Sequence, residues 1–254
     1  MGSKRVSRET TLLTPAIEQL QAQLKSWGIG LGHSQLALLS VYADLLATYK
    51  VANIIGTKDR EKIILEHLSD SLSCLVSGCI RLGDAVIDVG TGGGLPGVPL
   101  SIASPKLHMS LLEAAEKKVR FLEYARSELG LENIEVLHNR AEDVGRKPEY
   151  REVFDLATAR ALAPLPVVLE YCTPLVRPGG AILAMKGLLP EEELTQGVEA
   201  SRELGVELRE VQKVDFIAQV PQKERKLVIF DKVRATSDRF PRRVGFAKKR
   251  PLGV

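Results

Sequence analysis

Cysteine is scarce in this chain: Cys74, Cys79 and Cys172 are the three among 254 residues, and no two are spaced C-x-x-C. That excludes a disulfide framework and a zinc ribbon. The opening residues Met1–Pro15 lack the apolar stretch of an export signal, and no apolar run approaches the ~18 residues of a membrane helix. The expectation is a soluble cytoplasmic protein. Gly2 is followed by Lys4 and Arg5 with Ser7 out of place, which argues against an N-terminal myristoyl anchor. Disorder is excluded too, because 44% hydrophobic and 26% charged residues match an ordinary globular chain. The length predicts one α/β domain with an added subdomain.

Charge is unevenly spread. The net charge is +3, yet the last 21 residues hold seven bases against one acid, Asp238. That tail therefore carries +6 and the rest of the chain −3. Arg239, Arg242, Arg243, Lys248, Lys249 and Arg250 suit a polyanion such as an RNA backbone, held by counterion release. Phe240 and Phe246 among them can stack on bases. The plain alternative is a solvated terminus that aids solubility.

Residues 1–80 read as a helical N-terminal cap. Thr14-Pro15 starts a helix carrying Ile17, Leu20 and Leu24; Ser34 starts a second; Asp59 caps a third that lasts until Gly78. From Ala85 the pattern changes to short aliphatic runs alternating with helical ones, which signals βαβ units. The runs are Ala85–Val89, Leu107–Leu112, Ile134–Leu137, Leu156–Ala159 and Ala181–Ala184, with helices at Lys117–Leu129, Pro166–Leu175 and Glu191–Leu204. Pro178-Gly179-Gly180 reads as a turn, and Val206–Val214 with Lys226–Val233 as a closing hairpin whose connection contains Pro221. The domain division is thus 1–80, 81–233 and a basic tail, 234–254.

Two frames compete in the glycine loop after Ala85–Val89. Gly92, Gly94 and Gly97 satisfy the dinucleotide G-x-G-x-x-G pattern, whereas Asp88-x-Gly90-x-Gly92-x-Gly94 matches the acidic glycine loop of S-adenosylmethionine-dependent methyltransferases. The second is preferred, since it places four residues at strict spacing directly after the strand. Glu113, 19 residues past Gly94, is placed to accept hydrogen bonds from both ribose hydroxyls of a nucleoside cofactor. Asn139–Asp143 follows the third strand, where such a fold seats adenine.

In order along the chain, His67-x-x-Asp70-Ser71-Leu72, Asp88–Leu100, Arg140-Ala141-Glu142-Asp143, Thr158-Ala159-Arg160-Ala161, Lys186-Gly187 and Phe240-Pro241-Arg242-Arg243 closely resemble the bacterial small-subunit ribosomal RNA methyltransferase G family. The family is also called glucose-inhibited division protein B, and the likeness spans roughly residues 30–252. It implies an α/β fold with the Rossmann-like sheet of class I S-adenosylmethionine-dependent methyltransferases and a helical N-terminal cap. It further implies methyl transfer to N7 of a guanosine in 16S ribosomal RNA. Family positions matching Gly90, Leu95, Ala141, Glu142 and Arg160 hold the cofactor, with Glu113, Ala114 and Ala115 beside the ribose. The family's usual Asn-Leu-Thr turn is replaced by Asn53-Ile54-Ile55-Gly56-Thr57.

Several absences bear on the chemistry. Guanine N7 offers a lone pair and loses no proton on methylation, so no general base is needed, and none is evident. The Asn/Asp-Pro-Pro-aromatic turn of amino-group methyltransferases is replaced by Ala157-Thr158-Ala159-Arg160, and Cys172 reads as a core residue rather than a nucleophile. Arg160 is the candidate contact to cofactor and base, through O6 or phosphate, with a salt bridge to Asp155 or Glu142 as the structural alternative. Lys186 either contacts phosphate or closes a turn. His67, Asp70 and Ser71 share one helical face, and a hydrolase triad on it is disfavoured. The expected partner is 16S ribosomal RNA or a small-subunit particle, with no metal, no membrane, and a monomeric protein. The competing functions are a small-molecule methyltransferase and a non-enzymatic nucleotide or NAD-binding protein.

Overall fold

The computed structural model describes residues 14–217 and 224–253. The connection containing Pro221 lies outside them. A seven-stranded sheet runs in the order β3-β2-β1-β4-β5-β7-β6. Its strands are β1 (Ala85–Val89), β2 (His108–Glu113), β3 (Ile134–His138), β4 (Phe154–Arg160), β5 (Val176–Lys186), β6 (Val206–Val214) and β7 (Arg225–Lys232). The first five are parallel, and β7 lies antiparallel between β5 and β6. The order reverses between β1 and β4, which opens a crevice at their carboxyl ends.

Helices cover both faces. α1 (Pro15–Ser26) and α2 (His33–Thr48) precede a helical run that begins with α3 (Arg60–Lys62), widens to a π turn over Ile63–Leu68, and continues through α4 (Ser69–Leu72). Asp59 caps it by accepting the amide of Lys62 at 3.1 Å, as its position before the apolar periodicity predicts. α5 (Gly97–Ala103) follows the glycine loop, then come α6 (Glu116–Leu129), α7 (Ala141–Val144), α8 (Leu165–Cys172), α9 (Glu191–Leu204) and α10 (Phe246–Lys249). Cys172 ends α8 fully buried, and burial raises its thiol pKa, which suits a core residue.

The N-terminal helices do not form a separate lobe. Ile17, Leu20, Leu39 and Ile63 belong to the same apolar cluster as Val86, Leu111 and Leu183 of the sheet. Their lining of leucine and isoleucine has no independent core to pack into, so it seals one sheet face. The expected turn at Pro178-Gly179-Gly180 lies inside β5 instead. Gly180 allows this, because a Cβ there would come within 2.6 Å of the Asp155 carbonyl oxygen, and the register of β4 and β5 shifts nearby.

The largest departure is the C-terminal segment, which the charge count treats as a free arm. It is docked. Phe240 and Ala247 are buried beneath it, and Glu170 on α8, 1% exposed, accepts the Arg242 backbone N–H at 2.9 Å and is gripped by its guanidinium. Arg151 donates to the carbonyls of Gly145, Thr236 and Phe240 at 2.8–2.9 Å. The fully buried Lys232 ammonium bonds Glu152, the Thr173 carbonyl and Thr236. A buried carboxylate cannot stay unpaired in an apolar setting, so Glu170 alone demands that the segment be in place.

Candidate active site

The loop after β1 is built around one carboxylate. Asp88 is fully buried; its Oδ2 accepts the Thr91 hydroxyl and the Gly97 amide at 2.9 Å, and its Oδ1 accepts the Thr158 hydroxyl at 3.3 Å. Desolvation raises its pKa to about 6. Asp88 therefore fixes the loop and offers nothing to a ligand. Gly92 has φ +61° and a Cβ there would meet nothing nearer than the Lys118 ammonium at 3.8 Å, so it faces open space. Gly97 differs: a Cβ would strike Leu111 at 2.2 Å. Gly97 is thus a packing glycine at the helix start, whereas Gly92 leaves the loop backbone open to close approach. Gly92 belongs to both frames; the Asp88 carboxylate, which ties the loop together through Thr91 and Gly97, is what favours the Asp88-Gly90-Gly92-Gly94 frame.

Glu113 ends β2 beside this loop and is 8% exposed. Its Oε1 accepts the amides of Ala114 and Ala115 at 2.9 and 2.8 Å, while Oε2 accepts the Gly92 amide at 3.0 Å and lies 3.9 Å from Lys118. Oε1 is saturated and Oε2 retains one acceptor direction. In this arrangement one ribose hydroxyl is accommodated, and engaging both requires releasing an amide. The third loop is continuous with the second, since the Asn139 amide donates to the Glu113 carbonyl at 3.1 Å. Beyond it, Ala141 and Glu142 begin α7. Glu142 is buried, and its Oε1 accepts the Gly245 amide of the C-terminal segment at 2.9 Å. Leu95 is buried in the core cluster. The Asn53–Thr57 turn, where the chain departs from the family pattern, sets Ile54 and Ile55 against Gly93, so its apolar residues pack under the glycine loop.

A cleft of about 270 Å³ opens at the ends of β4 and β5. His67, Asp70, Arg160, Lys186 and Arg225 line it, with Ala161, Met185 and Gly187. Arg160 Nη1 donates to Asp70 Oδ2 at 3.0 Å and to the His67 carbonyl at 3.3 Å. Arg225 Nε donates to Asp70 Oδ1 at 2.8 Å. The partner of Arg160 is therefore Asp70. The anticipated alternatives are otherwise engaged, Asp155 with Arg177 at 2.7 Å and Glu142 with Gly245. Only Nη1 of Arg160 is engaged among the described residues, which leaves Nε and Nη2 for an acceptor in the cleft. His67 and Ser71 join the same knot, since the Ser71 hydroxyl donates to the His67 carbonyl at 2.7 Å. No triad forms. Burial, followed by the Arg160 charge, lowers the His67 pKa to about 4. The Lys186 ammonium donates to the Ala163 carbonyl at 2.8 Å and pairs with Glu193 at 2.7 Å, which spans a turn and leaves it 13% exposed. Sequence reasoning missed Arg225 altogether. It opens a hairpin strand far from any glycine motif, and only the register of β5 with β7 brings it beside Arg160.

Ala161 lines the cleft and the next residue, Leu162, lies over Gly90, so one turn adjoins both cleft and loop. Three adjacent loops at the carboxyl ends of β1, β2 and β3 thus form an open glycine cradle, a carboxylate and a short helix start, which fit a nucleoside cofactor. The cationic cleft beside them fits its reaction partner. In the tail, Arg242 is consumed by Glu170, and Arg239 pairs with Glu203 at 2.6 Å. Arg243, Lys248, Lys249 and Arg250 are exposed and form no ion pair among the described residues. No group of three or more metal-ligating side chains occurs among the described residues either.

This sheet order and this loop define a class I S-adenosylmethionine-dependent methyltransferase. The family model for rRNA small subunit methyltransferase G matches residues 35–227. Ribosomal RNA small subunit methyltransferase G of Rubrobacter xylanophilus is 47% identical over 93% of this chain and 91% of its own length. The protein of that name from Moorella thermoacetica is 42% identical over 92% and 97%. The chain belongs to the rRNA small subunit methyltransferase G family. The 16S rRNA (adenine(1408)-N(1))-methyltransferase of Catenulisporales acidiphilia, solved as a mutant, shares the fold at 16% identity, with a TM-score of 0.50 over 66% of this chain and 93% of that one.

Proposed function

We propose that this protein transfers the methyl group of S-adenosylmethionine to N7 of a guanosine in 16S ribosomal RNA, acting in the cytoplasm as a monomer. The bound cofactor supplies a methyl on a sulfonium, and the displacement is in line, so the protein's task is alignment and exclusion of water. In this reading Gly90 and Gly92 let the backbone approach the cofactor, and Leu95 supports the loop beneath it. Glu113 with Ala114 and Ala115 holds the ribose, while Ala141 and Glu142 flank the adenine. Arg160 positions the guanine through O6 or an adjacent phosphate, with Arg225 beside it.

One observation carries the choice of acceptor. Among the described residues the cleft contains cations and no competent base: both oxygens of Asp70 accept guanidinium N–H groups, and burial lowers the His67 pKa to about 4. Such a site suits an acceptor that already has a lone pair and loses no proton. The exposed bases Arg243, Lys248, Lys249 and Arg250 suit a phosphate backbone, and so extend the site to RNA. The test supplies radiolabelled S-adenosylmethionine with either protein-free 16S RNA or assembled small subunits, and maps the label. Label at a guanine N7 supports the reading; label on another atom, or on neither substrate, refutes it.

A further inference from the structure

The docked tail touches the cofactor loops, and it does so through a residue that serves both. Glu142, 5% exposed, lies in the third cofactor loop three residues past Asn139 and accepts the Gly245 amide of the tail at 2.9 Å. Burial, followed by the nearby Glu142 carboxylate, raises the pKa of the Tyr171 phenol on α8. The loop itself is bonded to Glu113 through the Asn139 amide. Two further ties hold the tail to α7. Pro241 packs against Gly145, and the Arg151 guanidinium donates to the carbonyls of both Gly145 and Phe240. The tail cannot shift without disturbing α7, nor α7 without straining the loop at Glu113.

The outer face of the same segment carries Arg243, Lys248, Lys249 and Arg250, exposed and without carboxylate partners among the described residues. Arg140 and Arg146 are exposed on the α7 side, and Arg146 reaches the Arg239 carbonyl at 3.4 Å. Asp143 is the one exposed acid of α7, so these six bases leave the surface net positive, and a phosphate chain laid across it is attracted to the tail and α7 together.

We propose that the docked tail and the start of α7 form one RNA-backbone-binding face that couples RNA binding to cofactor binding through the Glu142 carboxylate. The inference rests on the proposed function, which supplies both ligands. RNA on this face biases how the docked tail sits; the Gly245 amide of the tail positions Glu142; and Glu142 positions the loop at the adenine end of the cofactor pocket. Coupling of this kind is reciprocal, so each ligand must raise the affinity of the other by the same factor.

The test uses the full chain, protein-free 16S RNA and S-adenosylhomocysteine, which carries no transferable methyl and so prevents turnover. Calorimetry gives the Kd for S-adenosylhomocysteine with and without saturating RNA, and filter binding gives the converse. The expected result is tightening of about fivefold or more in each direction, by equal factors. Glu142→Gln should reduce that factor to below about twofold. A fourfold alanine variant of Arg243, Lys248, Lys249 and Arg250 should lose RNA affinity by tenfold or more, together with the effect of RNA on the cofactor. A chain ending at Val233 should bind S-adenosylhomocysteine at least tenfold more weakly even without RNA; should it not fold, the Glu142→Gln and fourfold variants decide. Independent binding in the wild-type chain, or full coupling retained by Glu142→Gln, overturns the inference while leaving the proposed function standing. A full-length chain that binds neither ligand overturns the proposed function and the inference with it.

Discussion

At the scale of single residues, three carboxylates with similar sequence credentials have different work. Asp88 is consumed by the loop, Glu113 is held by three backbone amides with one acceptor direction left open, and Asp70 is held by two guanidinium groups. Glu113→Ala should weaken cofactor binding by about 1–3 kcal/mol through loss of a charge-assisted hydrogen bond. Because the Gly92 amide also loses its acceptor, melting temperature should fall as well, and calorimetry beside a thermal melt reads the two effects separately. Gly92→Val should abolish cofactor binding, for a branched side chain there fills the open cradle and must adopt a left-handed φ, at roughly 1–2 kcal/mol of strain. A folded variant that binds the cofactor normally would mean that the ligand does not approach the loop there. His67 provides a pH test. Its folded-state pKa of about 4 lies below the ordinary 6.5, so protonation opposes folding, and the stability tied to the neutral ring is present above pH 6.5 and lost as pH falls toward 4. Asp88 acts in the opposite sense, its raised pKa of about 6 costing stability as pH rises from 3.8. The difference between wild type and His67→Gln isolates the imidazole. Denaturant melts should show the variant gaining on the wild type by about 1–2 kcal/mol between pH 7 and pH 4, less than the full shift because the ring is partly solvated; a pH-independent difference would refute the assignment.

At the scale of elements, legibility follows the range of the forces that set each piece. β1, α9 and β6 stand in the structure with the ends that aliphatic periodicity predicts, since hydrophobic spacing and a following glycine act locally. The glycine loop is equally readable, because a left-handed φ and a close approach select one residue type. Three features were not legible. The sequence places His67, Asp70 and Ser71 on one face but not Arg160 among them, because that pairing depends on how the helical run crosses the end of β4. Arg225 depends on strand register. The tail misleads because a charge count treats every base as solvated, whereas Arg242 is neutralised by a carboxylate 72 residues earlier. Truncation after Val233 should therefore destabilise the fold by more than about 3 kcal/mol, since it leaves Glu170 buried and unpaired and uncovers the site of Phe240. Urea unfolding reads this directly; an unchanged midpoint would restore the picture of a detached arm.

At the scale of the whole molecule, the carboxyl end of the sheet gathers a nucleoside cradle and a cationic cleft, and the docked tail adds exposed bases beside α7 and α8. Each is ordinary alone, and their adjacency defines the activity. Of the seven tail bases, Arg239 and Arg242 are held in ion pairs and Arg234 donates to the Arg202 carbonyl, while Arg243, Lys248, Lys249 and Arg250 are exposed without ion pairs among the described residues. Replacing all four with alanine should reduce the slope of log affinity against log salt by about 3, at roughly 0.7–0.9 per phosphate contact. An unaltered slope would place the RNA elsewhere on the molecule. The most direct measurement of the central claim is the position of the transferred methyl group. After incubation of the protein with radiolabelled S-adenosylmethionine and small-subunit RNA, N7-methylated guanines are cleaved selectively by reduction and aniline. The account predicts one labelled guanosine in 16S RNA, cleavable by that treatment, and loss of label in Arg160→Ala. Label that resists this cleavage, or that persists undiminished in Arg160→Ala, would contradict it.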